Sequence, residues 1–189
     1  MTDGRDDAVL IEALSIAQRL GVIGDTDLVT EIRHARWYVS ALDRLESGST
    51  VLDLGSGGGL PGLVIAHDRP DFDVTLIDRR QKRTDILQRQ VGHLRSGRSG
   101  LEVKVLCADI SEHVPLGVEF HAVTARSFAS PAITARTAAA HLVSGGLLVV
   151  SNPPRGSAST RWSHDVLVGT GLELDTSSEN AKVSVLIRE

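Results

Sequence analysis

Apolar positions follow two rhythms along this chain, a helical one before residue 50 and short continuous runs after it. Residues 6 to 20 place Val9, Leu10, Ala13, Leu14, Ala17 and Leu20 on one stripe, ended by Gly21, the spacing of an amphipathic helix. A second helix is expected from about Asp25 as its cap residue, with Leu28, Ile32, Ala35, Val39 and Leu42 recurring at steps of four and three. Beyond Glu46-Ser-Gly-Ser49 the rhythm changes. Val51 to Leu54, Val74 to Asp78, Glu102 to Cys107, Phe120 to Ala125 and Leu147 to Ser151 read as buried strands, the first, second and fourth followed by helical stretches. Those helices are expected from Pro61 to Arg69-Pro70, over about residues 80 to 95, and from Ser130-Pro131 through the alanines to Leu142, where Gly145-Gly146 ends the last. Residues 161 to 168 look helical, and Leu172 to Ser177 with Val183 to Arg188 read as a closing hairpin.

Strands alternating with helices, then a hairpin, predict an α/β Rossmann-like fold: a mostly parallel seven-stranded sheet in the order 3-2-1-4-5-7-6 with helices on both faces. Residues 1–48 are expected to form a small helical cap and residues 49–189 one compact domain. Ligands in such sheets lie beyond the strand carboxyl ends, at the switch point between strands 1 and 4. That puts the glycine loop, Asp78, Asp109 and Arg126 around one crevice.

The loop follows the first strand as Asp53-Leu-Gly-Ser-Gly-Gly-Gly-Leu-Pro-Gly62. Glycine lets backbone approach a ligand closely, and free N–H groups at a helix start favour anionic or polar groups. The spacing of Gly55, Gly57 and Gly59 lacks the two residues that the dinucleotide fingerprint needs between its second and third glycines, which opposes a nicotinamide oxidoreductase. It suits a loop for S-adenosylmethionine. Asp78, nineteen residues after Gly59 at a strand tip, can accept hydrogen bonds from both ribose hydroxyls.

Composition changes the picture in three ways. The polar first residues and the lack of an apolar run of about 18 residues predict neither a secretory signal nor a membrane span, hence a cytoplasmic protein. A single cysteine, Cys107, excludes an internal disulfide and is expected to be a small buried hydrophobe, and the seven histidines have no metal-ligand spacing. The net charge of −4 offers no global attraction to nucleic acid, yet Arg79, Arg80, Lys82, Arg83, Arg89, Arg95 and Arg98 put seven of the 20 basic residues in one window. That window is either a solvated helix face or an RNA-contacting one.

With these pieces assembled, the sequence resembles the RsmG (GidB) family of bacterial methyltransferases acting on guanine N7 of 16S ribosomal RNA. The residues that carry the resemblance are Asp53 to Gly62, Leu76-Ile-Asp78 with Lys82-Arg83 and Leu87, Arg126-Ser-Phe-Ala129, and the pair Arg33-His34, spanning about residues 28 to 150. The resemblance implies S-adenosylmethionine as cofactor, S-adenosylhomocysteine as product, and ribosomal RNA or the small subunit as partner. Asp53, Gly55, Gly57, Gly59 and Leu60 would hold the cofactor from the loop, Asp78 its ribose, and Ala108 and Asp109 its adenine. Arg126 would stand where cofactor and substrate meet, as the candidate catalytic residue, with His34, Lys82, Arg83 and Arg155 towards the substrate. The family's Asn-Leu-Thr run has no counterpart here, and Asn152-Pro-Pro-Arg-Gly156 stands where the family has Lys-Gly. Three readings follow: methylation of ribosomal RNA, methylation of another RNA or small molecule, and cofactor binding without catalysis.

Overall fold

The computed structural model describes residues 4–97, 100–111, 116–152, 161–177 and 182–189. Two helices, α1 (Gly4–Arg19) and α2 (Leu28–Ala41), precede strand β1 (Thr50–Leu54). Then come α3 (Gly62–Asp68), β2 (Asp73–Asp78), α4 (Gln81–Gly97), β3 (Val103–Cys107), β4 (Phe120–Ala125), α5 (Pro131–Ala139) and β5 (Leu142–Ser151). A short α6 (His164–Leu167) leads to β6 (Leu172–Leu174) and β7 (Val183–Arg188).

The sheet has the expected order, β3-β2-β1-β4-β5-β7-β6. β1 to β5 are parallel and β7 runs antiparallel to both neighbours. Because side chains alternate across a strand, β1 feeds two cores. Val51 joins the layer of α1 to α4, whereas Leu52 and Leu54 join the layer of α5 and Trp162. Asp53 therefore points to the α3 side. Leu10, Leu14, Leu28 and Ile32 of the first two helices lie in the same core as Leu63, Val64 and Leu87.

Several local expectations need correction. Asp27, not Asp25, caps α2, accepting from the backbone N–H groups of Val29 and Thr30, as a short carboxylate at a helix start does. Tyr38 joins the apolar face of α2 as a fully buried member, its hydroxyl donating to the Ala125 carbonyl at 3.1 Å, while Val39 packs against the same core partly buried. Helix α5 ends at Ala139, and Gly145-Gly146 lie inside β5, where the pairing with β4 slips between Phe120 and Ala122. A glycine pair marks a strand irregularity there rather than a helix end. Cys107 is exposed. β3 is the outermost strand on its side of the sheet, so its carboxyl end lacks the cover that an internal strand receives.

Candidate functional site

β1 stops at Leu54 and the chain turns back under its own tip. Ser56 locks the turn to β2: its Oγ donates to the Asp53 carbonyl at 2.8 Å and accepts from the Ile77 N–H at 3.1 Å, while its N–H donates to the Ile77 carbonyl at 2.9 Å. Gly55, Gly57 and Gly59 take φ values of +65°, +54° and +102°, a region that side chains strongly disfavour. At Gly62 the demand is packing instead. A Cβ there would stand 2.3 Å from Leu76 Cδ2 and 2.7 Å from Asp53 Oδ2, so α3 closes directly on the strands.

Two cavities of about 470 and 330 Å³ open over this turn and meet at Gly55, Arg83 and Ser127. A Cβ on Gly55 would come within 3.0 Å of the Phe128 ring, so bare backbone forms the floor between them. The larger cavity lies beyond the tips of β2 and β3 and brings Asp78, Ala108 and Asp109 together. Asp78 is 4% exposed; one carboxylate oxygen accepts from the Gly57 N–H and from Arg83 Nη1, both at 3.2 Å, and the other from the Arg80 N–H at 2.9 Å. A carboxylate offers about four acceptor positions, so Asp78 serves the loop and retains room for a hydroxyl. Arg79 and Arg80 stand on the same rim.

The smaller cavity is walled by the loop from Gly55 to Gly58, by Leu60, by Arg126 at the tip of β4, and by the α1–α2 connection. Arg126 Nη2 donates to Glu31 Oε2 at 2.5 Å, and Thr26 Oγ1 approaches Glu31 Oε1 at 3.3 Å. Gln18 holds that connection in place, donating to the carbonyls of Gly24 and Thr26 at 3.1 and 2.7 Å. Ile23 lies against the loop so closely that a Cβ on Gly58 would stand 2.4 Å from its Cγ1. Arg36 ties α2 to both neighbours, pairing with Asp7 of α1 and, at 2.8 Å, with Asp68 of α3. Ser127, the residue after Arg126, holds φ +55°. Backbone strain of this kind at a cavity wall marks a position that the surroundings over-determine.

Asp53 and Gly59 lie beneath the cavities rather than in their walls. Asp53 is 1% exposed; its Oδ1 accepts from Thr124 Oγ1 at 2.7 Å and its Oδ2 has no partner. Burial pushes its carboxyl up to about 6, against the opposing hydrogen bond from Thr124. Gly59 packs on Leu63. Of the residues expected to face a substrate, Arg83 reaches both cavities, whereas His34 and Lys82 are exposed and in neither wall, and Arg155 lies outside the described residues. Arg95 turns from the basic face to bind the carbonyls of Leu101 and Val103. Ser127 and Phe128 belong to the Arg126-Ser-Phe-Ala129 run but carried no expected role, and Glu31 and Ile23 had no place among the expected site residues. Nothing local marks a glutamate on α2 as the partner of an arginine 95 residues away.

Among the described residues no group of three potential metal ligands occurs, and no helix is long and apolar enough to cross a membrane. The strand order is that of class I S-adenosylmethionine-dependent methyltransferases. One such enzyme, from Thiobacillus denitrificans and solved in complex with S-adenosylhomocysteine, matches with a TM-score of 0.53 and 26% identity over 68% of this chain and 56% of its own. Ribosomal RNA small subunit methyltransferase G of Salinispora tropica is 40% identical over 120 residues, 62% of this chain and 49% of the relative. Its counterpart from Mycobacterium sp. (strain KMS) is 30% identical over 178 residues, 87% of this chain and 77% of the relative. The chain thus spans about half the length of the Salinispora relatives it matches. The family model for rRNA small subunit methyltransferase G (GidB) matches residues 18–152, the stretch that carries the loop, both acid-tipped strands, Glu31 and Arg126, and the chain belongs to that family.

Proposed function

We propose that this chain is an S-adenosylmethionine-dependent methyltransferase acting on small-subunit ribosomal RNA, with guanine N7 as the acceptor atom and S-adenosylhomocysteine as the product. The observation that carries the reading is the pair of joined cavities over a side-chain-free loop, one beside Asp78 and Asp109, the other beside Arg126. Their sizes and chemistry fit a nucleoside in the first and an amino-acid tail in the second. When bound, the donor supplies a methyl group activated by the adjoining sulfonium.

The chain's own tasks are binding and alignment. Asp78 offers its remaining acceptor capacity to the ribose, while Ala108 and Asp109 flank the base. Gly55 and Gly57 let the donor lie against the backbone, and Leu60 bounds the tail. Guanine N7 bears a lone pair and no proton, so no general base is required. Holding the acceptor nitrogen in line with the methyl carbon and sulfur can be worth roughly 7–11 kcal/mol in favourable cases. Arg126 stands where it can fix either reactant, and its guanidinium provides directed donors rather than a base. Arg79, Arg80, Lys82 and Arg83 at the start of α4 supply local positive charge for an RNA backbone despite the net charge of −4. Such a substrate is met in the cytoplasm.

The test incubates the purified chain and labelled donor with small subunits, and with free ribosomal RNA, from cells lacking this mark. Label recovered as 7-methylguanosine is the expected result. Label on another nucleoside keeps the enzyme and removes the acceptor atom. Transfer only to small molecules favours the substrate-divergent reading suggested by Asn152-Pro-Pro-Arg-Gly156, and donor binding without transfer to any extract favours a non-catalytic role.

A further inference from the structure

The smaller cavity presents one anion and one cation, and the two are paired with each other. Of its described lining residues, Glu31 is the one carboxylate, and of the two arginines Arg83 is paired with Asp78. Arg126 and Glu31 face each other across the wall, their side chains 34% and 14% exposed. Glu31 is under-used as an acceptor: beyond Arg126 it meets Thr26 at 3.3 Å, against a capacity of about four. The rest of the wall beside it is glycine backbone and the apolar side chains of Val22, Ile23 and Leu60.

A zwitterion can join this ion pair with every charge matched, its ammonium on Glu31 and its carboxylate beside Arg126, whereas a ligand with an acid or an amine alone adds an unbalanced charge. The other nearby carboxylate, Asp53, cannot serve. It is sealed under the turn by Gly62, whose Cβ position lies 2.7 Å from Oδ2. We propose that Glu31, brought by α2 across the crevice, is the binding residue for the α-ammonium of the donor's amino-acid tail. The first two helices then complete the donor site rather than only covering it. This inference rests on the donor-binding reading above and deepens it.

Calorimetric titration of the full chain with S-adenosylhomocysteine and with its desamino analogue tests it, using wild type and Glu31→Gln. Wild type is expected to prefer S-adenosylhomocysteine by about tenfold or more, the scale of one charge-assisted hydrogen bond. In Glu31→Gln that preference is lost, because only the ligand with the ammonium weakens. The proposal is overturned if Glu31→Gln keeps the wild-type preference, which assigns the ammonium to loop carbonyls. It is also overturned if both ligands weaken equally, which makes Glu31 only a positioning partner of Arg126. A wild type that binds both ligands alike overturns it whether or not the variant folds. Absence of heat with either ligand on wild type removes the donor reading as well, so the two failures are distinguishable.

Discussion

The wall around Asp78 is made from residues that the chain delivers in quick succession, whereas the opposite wall joins Glu31 of α2 to Arg126 of β4 across 95 positions. On the first side the geometry follows from strand, turn and helix. Ser56 pins the turn, and Asp78 receives the Gly57 N–H across a separation of 21 residues. On the second side the geometry depends on two helices docking on a finished sheet. Arg36, Tyr38 and Ile23 provide the contacts. One half of the crevice is thus a property of the βα unit and the other a property of the assembled core, and the two should respond differently to substitution.

Gly62 underlies both halves, so its replacement should have the largest effect. Gly62→Val puts atoms where Leu76 and Asp53 already lie, at 2.3 and 2.7 Å from the new Cβ. Overpacking of this order should cost about 3 kcal/mol or more. Urea midpoints of variant and wild type measure it, and an unchanged midpoint means that α3 can lift from the sheet without consequence.

Asp53 sits under the same junction and gives a pH signature. Its carboxyl is raised from 3.8 to about 6 by burial. Between those values the folded chain keeps a proton that the unfolded chain has released, so stability should fall as pH rises from about 4 to about 6 and level off above. The full change amounts to no more than ~3 kcal/mol. Asp27, Asp68, Asp71 and Asp175 are shifted the other way, chiefly by hydrogen bonds and ion pairs, with Asp68 held down by His67 and Arg36 against its own burial. Their stabilisation is therefore lost as pH falls below the ordinary carboxylate range, outside this window. Asp53→Asn should flatten the slope between pH 4 and 6, seen in urea midpoints across that range; equal slopes in both proteins would sink the assignment to Asp53.

The sheet order and the acid-tipped strands were legible because buried parallel strands read as short apolar runs and each tip is set by where its run stops. Asp78 and Arg126 could be placed in one crevice on that basis alone. Glu31 could not, since its partner is chosen by helix docking and not by spacing. Cys107 misled for a related reason: an apolar run states that a strand is largely buried, without saying that the strand lies at the sheet edge. Gly145-Gly146 misled because the same pair ends a helix in one context and permits a slip of strand pairing in another.

Asp78→Asn sharpens the comparison on the local side. The substitution removes a charged acceptor that the proposed ribose contact needs, and donor affinity should fall about 10- to 100-fold, as for loss of a charge-assisted hydrogen bond of roughly 1.5–3 kcal/mol. The loss should be the same for S-adenosylhomocysteine and for 5′-methylthioadenosine, since both carry the ribose and only the first carries an amino-acid tail. Calorimetry with the two ligands makes the comparison, and a loss confined to S-adenosylhomocysteine would place Asp78 on the wrong side of the crevice.

Gly58→Ala should give the smallest effect and the cleanest separation of the two walls. The added methyl meets Ile23 Cγ1 at 2.4 Å and Cδ1 at 3.1 Å. Unlike the strands behind Gly62, Ile23 belongs to a connection on the cavity rim, which should retreat to relieve the contact at a stability cost of about 1 kcal/mol. Retreat carries Thr26 and Glu31 with it, because Gln18 binds the connection at Gly24 and Thr26 and Thr26 leads directly into the Asp27 cap of α2. Affinity for S-adenosylhomocysteine should then fall several-fold, while 5′-methylthioadenosine, which rests only on the Asp78 side, should bind as it does to wild type. Equal weakening of both ligands would mean that the glycine turn moves as one piece with the α1–α2 connection, and that the two walls, however differently built, act as a single rigid unit.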